Sequence, residues 1–480
     1  MLAESTASQD GYSLRVAQTL APVESVRRIG LACRARTLAL TLDGGLALAM
    51  LGVSLVLVAS VGLSHARSLA YGPIDEVAHV GYVEHIAQNG LPPVSGDVIR
   101  GRPTRHVGPR DVLVPAADPG GFPAGFYGGA SLPQVELIQP PLYYYALAPV
   151  ALAVSPYRTI FALRLASVAF LLAAIVLVFA AVRTTAPERP LAAGLTAVIL
   201  GTMSGLTYTL SQVQNDALLI AMFALVFLLL CRDIPRRRAG YGLAAATGLL
   251  VVTQIVAIPF AAGALLYALW RAVGRPVDSI AGVARFAAPR VAVAAAPLAL
   301  WVIWNIAQYS SPFPGGGGLS VSAGGPRVGP TLTDALASAQ GAVAESFNDF
   351  WGVGFVPRLP DGRPVALLCL ALVVSVCALL ASGVIAEVRM RLAAWTALTI
   401  AVFVSTFATI FLAAVRSGGS SSYTGRYFVG VAVAWAALIA LTIDAAASRR
   451  AWLARGVAVG LSLVLVHFAL QYSTLHFRLL

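Results

Sequence analysis

The sequence predicts an all-α fold: a polytopic bundle of about 11 transmembrane helices, with juxtamembrane helices in a long first extracytoplasmic loop. Three observations predict it. The 480-residue chain is 58% hydrophobic, has a mean hydropathy of +0.80 and is only 11% charged, whereas a soluble domain carries about 25% charged residues. Apolar segments approaching the roughly 20 residues a span requires recur along it. The basic residues between those segments fall preferentially on one side. So large an apolar excess excludes a soluble globular enzyme, a disordered chain and a nucleic-acid binder.

Residues 1–43 form a polar, basic tail with Arg27, Arg28, Arg34 and Arg36 near its end. The first span, 44–63, follows it and reads as an uncleaved signal anchor with a cytoplasmic N-terminus. Later spans fall at 159–182, 191–211, 217–231, 240–256, 258–271, 290–308, 364–386, 393–415, 427–446 and 456–474. Pro259 divides the fifth from the sixth within one apolar stretch. Residues 44–480 form one membrane domain with two long outer loops, 64–158 and 309–363.

The charges agree with this order. All 33 basic residues are Arg, and 20 of them fall on the side that carries the N-terminus. Merging the fifth and sixth spans would invert every later loop and spoil the asymmetry. The positive-inside rule thus accounts for a net charge of +12 and a pI near 10.0 without nucleic acid. None of Cys33, Cys231, Cys369 and Cys377 lies in an outer segment, so no structural disulfide is expected.

The first outer loop opens with Tyr71-Gly72-Pro73-Ile74-Asp75-Glu76-Val77-Ala78-His79-Val80-Gly81-Tyr82. Pro73 can start a helix, because its missing N–H would be an orphan there. Asp75 and Glu76 then occupy the first turn, and Asp75, His79 and Tyr82 share one face. A surface helix with acids complementing its dipole would look the same. The loop ends in Glu136-Leu137-Ile138-Gln139-Pro140-Pro141-Leu142-Tyr143-Tyr144-Tyr145, whose Tyr run also suits an interfacial anchor. Gln214-Asn215-Asp216, Phe347-Asn348-Asp349-Phe350-Trp351-Gly352 and Gly425-Arg426-Tyr427, with Arg416 nearby, face the same side. Asp216 is equally a candidate N-cap and Arg426 a snorkelling interfacial Arg.

In their order and common side, these motifs resemble the polytopic GT-C glycosyltransferases. The likeness is greatest to the bacterial branch related to aminoarabinose transferases and protein O-mannosyltransferases. In that branch an Asp-Glu pair followed by an aromatic opens the first loop, and a Pro-Pro-Leu-Tyr-like segment closes it. The match covers the first 230 residues best, and no C-terminal soluble domain is expected. The resemblance implies a GT-C-like fold in a bacterial inner membrane, with the active site outside. It implies transfer of a sugar from a polyprenyl-phosphate donor to an acceptor hydroxyl of a glycolipid, polysaccharide or protein.

That chemistry needs a base for the acceptor proton and cations for the departing phosphate. The catalytic candidates are Asp75, as base, and Glu76, which would orient it or the acceptor. The substrate-binding candidates are His79, Tyr82, Glu136, Gln139, Tyr143, Asn215, Asp216, Arg416, Arg426 and Tyr427. No cofactor and no metal is expected, the lipid-linked sugar being a substrate. The expected partners are the bilayer, this donor and a cell-envelope acceptor, with no nucleic acid. Two other readings stand beside this one: a glycolipid transporter or flippase, and a surface-polysaccharide polymerase or ligase.

Overall fold

A computed structural model describes residues 40–67, 76–94, 98–99, 104–106, 113–115, 132–133, 139–155, 158–232, 239–273, 280–312, 333, 407, 429–447 and 450–479. The span expected at 364–386, that at 393–415 apart from Phe407, the basic tail before Leu40 and most of the second long loop lie outside these residues. The described helices are α1 (Leu40–Ala66), α2 (Glu76–Asn89), α3 (Leu142–Ala153), α4 (Thr159–Thr185), α5 (Pro190–Gly201), α6 (Ser204–Leu210), α7 (Asp216–Cys231), α8 (Ala239–Val251), α9 (Ile258–Val273), α10 (Ile280–Tyr309), α11 (Val429–Ala447) and α12 (Ala451–Leu479).

The long first loop departs from pure helix. Between α2 and α3, β1 (Val98–Ile99) pairs with β4 (Leu132–Pro133), and β2 (Thr104–His106) pairs with β3 (Leu113–Pro115), both antiparallel. The Gly- and Pro-rich sequence there cannot sustain a helix, and short ribbons satisfy part of its backbone instead.

Among the described residues, α1, α4, α10 and α12 are long and apolar enough to cross a membrane. The pair α5–α6 adds a fifth if counted as one span, but it bends by 64° at Thr202–Met203. The sequence reads 191–211 as a single span. At the bend the Thr202 hydroxyl donates to the Val198 and Ile199 carbonyls, at 2.7 and 3.2 Å, and Thr or Ser bonding back to the preceding turn bends helices. The split expected at Pro259 is present but lies earlier, at Val252–Gln254, followed by a 3-10 turn over Ile255–Ala257. Pro259 sits in the first turn of α9, where a helix tolerates it.

α4 is amphipathic in burial. Leu163, Arg164, Ser167, Leu171, Ala174, Ile175, Val178 and Val182 form an inward stripe at helical spacing. That stripe meets α7 and α5. Every residue of α5 is buried, as is all of α7 except Leu225 and Leu229, so these two form the centre of the bundle. Close approach is built with small residues. A Cβ on Gly194 would meet the Ala47 backbone at 2.8 Å, and one on Gly201 would strike the Ser54 hydroxyl. Ser54 uses that proximity to donate to the Ala197 carbonyl at 2.6 Å, tying α1 to α5 as small and hydroxyl residues tie helices in apolar surroundings. At one end, Arg455 pairs with Asp43 at 2.6 Å and Arg189 with Asp444 at 3.2 Å. These pairs are partly exposed and each contributes about 0–1 kcal/mol, but they join helices far apart in sequence.

Candidate active site

At the opposite end, the chain gathers polar residues that the helices would otherwise exclude. The end of α1, the starts of α2, α3, α4 and α7 and the turn after α8 converge there. Glu76 is the first residue of α2 and is completely buried. Arg164, one turn into α4, grips it with a fork: Nε donates to Oε1 at 2.8 Å and Nη2 to Oε2 at 2.6 Å. The Val213 backbone N–H, just before α7, donates to Oε1 at 2.9 Å. Arg164 Nη1 also reaches the His65 carbonyl at 3.5 Å, at the end of α1. One carboxylate therefore holds three helix ends together. Burying a lone carboxylate costs several kcal/mol, and a fixed planar fork is the partner that best offsets it.

A second layer continues from α2. His79 Nδ1 and the Tyr144 hydroxyl lie 2.8 Å apart. The Tyr82 and Tyr144 rings stack with centroids 3.8 Å apart, and the Tyr82 hydroxyl donates to the Gln139 carbonyl at 3.4 Å. The Tyr143 hydroxyl shares a hydrogen bond with Ser167 at 2.9 Å. Burial pushes the Tyr143 phenol above its ordinary value of 10.0, so it stays neutral. Of the Tyr run read as an interfacial anchor, Tyr143 and Tyr144 are therefore core residues, and only Tyr145 is exposed.

A third group surrounds the start of α7. Asn215 Nδ2 donates to Gln139 Oε1 at 3.0 Å and lies 3.4 Å from the Thr253 carbonyl. Gln254 Nε2 donates to Asp216 Oδ1 at 3.1 Å. Asn215 precedes α7 without a side-chain cap, and Asp216 is the first helical residue, so the N-cap reading of Asp216 gives way to a carboxylate in its first turn.

The structure thus brings together Glu76, His79, Tyr82, Gln139, Tyr143, Asn215 and Asp216. Asp75, Glu136, Arg416, Arg426 and Tyr427 lie outside the described residues. Sequence reasoning missed Arg164, Tyr144, Ser167 and Gln254. Arg164 had a signal: it is a charge within an apolar span, and such charges face a polar partner. Tyr144 stood in a motif already singled out. Gln254 had none beyond being polar in an apolar run.

The arrangement separates two kinds of polar group. Both Glu76 oxygens are occupied by strong donors, which suits holding α2 in place rather than proton uptake. The amides of Gln139, Asn215 and Gln254 can read hydroxyl groups. Among the described residues no three His, Cys, Asp or Glu side chains gather as a metal site.

No family model matches this chain, and no curated protein matches it in sequence. Among solved structures it is similar to ArnT from Cupriavidus metallidurans bound to undecaprenyl phosphate, with 14% identity over 83% of this chain and a TM-score of 0.43. It is also similar to the same protein in the apo state, with 16% identity over 83% of this chain and a TM-score of 0.41. The chain spans 60% of the length of these structures.

Proposed function

We propose that the chain is an integral membrane glycosyltransferase that moves a sugar from a polyprenyl-phosphate donor to an acceptor hydroxyl on the extracytoplasmic face of a bacterial inner membrane. In this reading it has about 11 spans, and its 1–43 tail is cytoplasmic. The observation that carries the reading is the buried Arg164–Glu76 fork, at 2.8 and 2.6 Å. It anchors the start of α2 at the polar end of the bundle, next in sequence to Asp75, where the motif resemblance puts the base.

The acceptor oxygen attacks the anomeric carbon, the bond from that carbon to the phosphate oxygen breaks, and Asp75 takes the hydroxyl proton. Arg426, helped by Arg416, receives the polyprenyl phosphate as it leaves with the electron pair. Glu136 and Tyr427 are assigned to substrate binding in the same reading. Glu76 and Arg164 position, and no metal takes part.

The test is reconstitution in proteoliposomes with radiolabelled polyprenyl-phosphate sugars, with and without chelator. Asp75→Asn should reduce turnover by about 10²–10⁴ while donor binding stays near normal, and chelator should have no effect. Wild-type turnover by Asp75→Asn would remove the base from this residue. Movement of glycolipid across the bilayer without sugar transfer would replace the enzyme by a flippase. Use of a diphosphate-linked donor alone would point to a polymerase or ligase.

A further inference from the structure

We infer that Asp216, Gln254, Asn215 and Gln139 form a subsite that reads the hydroxyl groups of the donor sugar, with Gln254 as the residue that discriminates. The inference rests on the glycosyltransferase reading and assigns part of its specificity to a residue outside the expected motifs.

The reasoning starts from the Gln254 amide. A carboxylate only accepts hydrogen bonds, so the amide nitrogen must face Asp216, as its 3.1 Å contact with Oδ1 records. That contact fixes the orientation of the whole amide and turns Oε1 away from Asp216. Gln254 is only 3% exposed. Its Oε1 is buried and accepts no hydrogen bond among the described residues. A buried amide oxygen left without a donor is costly, about 1–3 kcal/mol. A chain that needed only packing here would carry Leu or Met at no such cost.

The surroundings specify the donor that Oε1 awaits. Asp216 is an acceptor, 1% exposed, at the start of α7. Asn215 and Gln139 are held side by side by their own 3.0 Å bond. Asn215 is further steadied by the Thr253 carbonyl at 3.4 Å. Thr253 and Gln254 are adjacent, so both amide pairs hang from one turn. The Gln254 amide oxygen, beside an anionic and otherwise amide-lined wall, complements an O–H donor. A neutral sugar ring offers such hydroxyls, whereas a phosphate or a lipid tail does not. A site built to bond a hydroxyl also rejects an analogue lacking it, because its buried acceptor is then left unpaired.

Binding, rather than transfer, is the measurement that isolates this subsite. The full chain in detergent would be titrated with bare polyprenyl phosphate and with the same lipid carrying glucose, mannose, galactose or arabinose. At least one glycosylated lipid should bind about fivefold or more tighter than the bare lipid, as expected for one or two net hydrogen bonds. Gln254→Met should erase that margin and leave bare-lipid affinity unchanged. On the ligand side, one single-deoxy version of the preferred sugar should lose the margin with the wild-type protein, a result that needs no variant. A margin kept by Gln254→Met, no deoxy analogue that matters, or no sugar margin at all would each overturn the subsite. A Gln254-dependent margin without any sugar transfer would keep the subsite and remove the glycosyltransferase reading. Transfer with an intact margin in Gln254→Met would do the reverse.

Discussion

Replacing Arg164 with Met would leave Glu76 as a carboxylate, fully buried, with its two guanidinium bonds gone and the Val213 N–H still facing it. The side chains are 3% and 0% exposed, so solvent does not screen the loss. Removing one partner of such a pair costs about 3–5 kcal/mol, most of it from the stranded charge. Glu76→Met should cost a similar amount, because it strands the guanidinium and the Val213 N–H. The double variant should be less damaged than either single one. Neither charge of the pair then remains, and the orphaned Val213 N–H accounts for about 1–3 kcal/mol. Arg164→Lys keeps the charge but not the planar fork, and should fall between wild type and Met. Unfolding in mixed micelles gives the four stabilities, and sugar transfer gives the four rates. The double variant should regain stability without regaining turnover, since the start of α2 is no longer held. Single variants costing under about 1 kcal/mol, or costs that simply add, would refute the brace.

The Tyr143–Ser167 bond should be worth about 0.5–1.5 kcal/mol, measured by Tyr143→Phe with Ser167→Ala as its partner in a double-mutant cycle. The Tyr143 phenol is held above 10.0 by burial, so its neutral form is favoured in the folded chain. Its contribution is complete below the unfolded value and declines as the medium rises above about pH 10. Tyr143→Phe should flatten that alkaline decline, and an unchanged slope would assign it to other groups. Gly201→Ala would drive a Cβ into Ser54 and should cost about 1–3 kcal/mol by overpacking; a neutral result would separate α1 from α5. For topology, cysteines placed at Gly96 and Gly317 should react with an impermeant reagent in intact cells and one at Ala239 should not. The reverse pattern would move the site to the cytoplasm.

Some of this was legible in the sequence because short-range rules govern it. Pro73, Asp75 and Glu76 announced a helix start, and α2 is described from Glu76 onward. The i and i+3 relation of His79 and Tyr82 correctly put them on one face, where both meet Tyr144. The Arg164–Glu76 pair was not legible because 88 residues separate its members, and nothing local to either names the other. The bend in 191–211 escaped because α5 and α6 are buried on every side. Without an exposed face there is no period whose phase could slip at Thr202. The burial of Tyr144 beside Tyr143 was missed for a related reason: an aromatic run next to a span also suits an interfacial anchor until a partner such as His79 or Ser167 draws it inward.

The contact between Asp43 and Arg455 has a consequence for biogenesis. The first described helix is joined to the last one by a bond spanning 412 positions, and Leu57 and Val61 pack against Ala469 along the same seam. At about 5–20 residues per second of synthesis, α1 waits roughly 20–80 s for its partner to leave the ribosome. During that wait α1 can pack first on α4, where Gly62 lies against Val168, and then turn its small-residue face to α5. Assembly therefore has an early step, α1 on α4 and α5, and a late step that only the arrival of α12 completes. A nascent chain halted before α12 would present the unclaimed Asp43 flank of α1 to whatever machinery surveys unfinished membrane proteins.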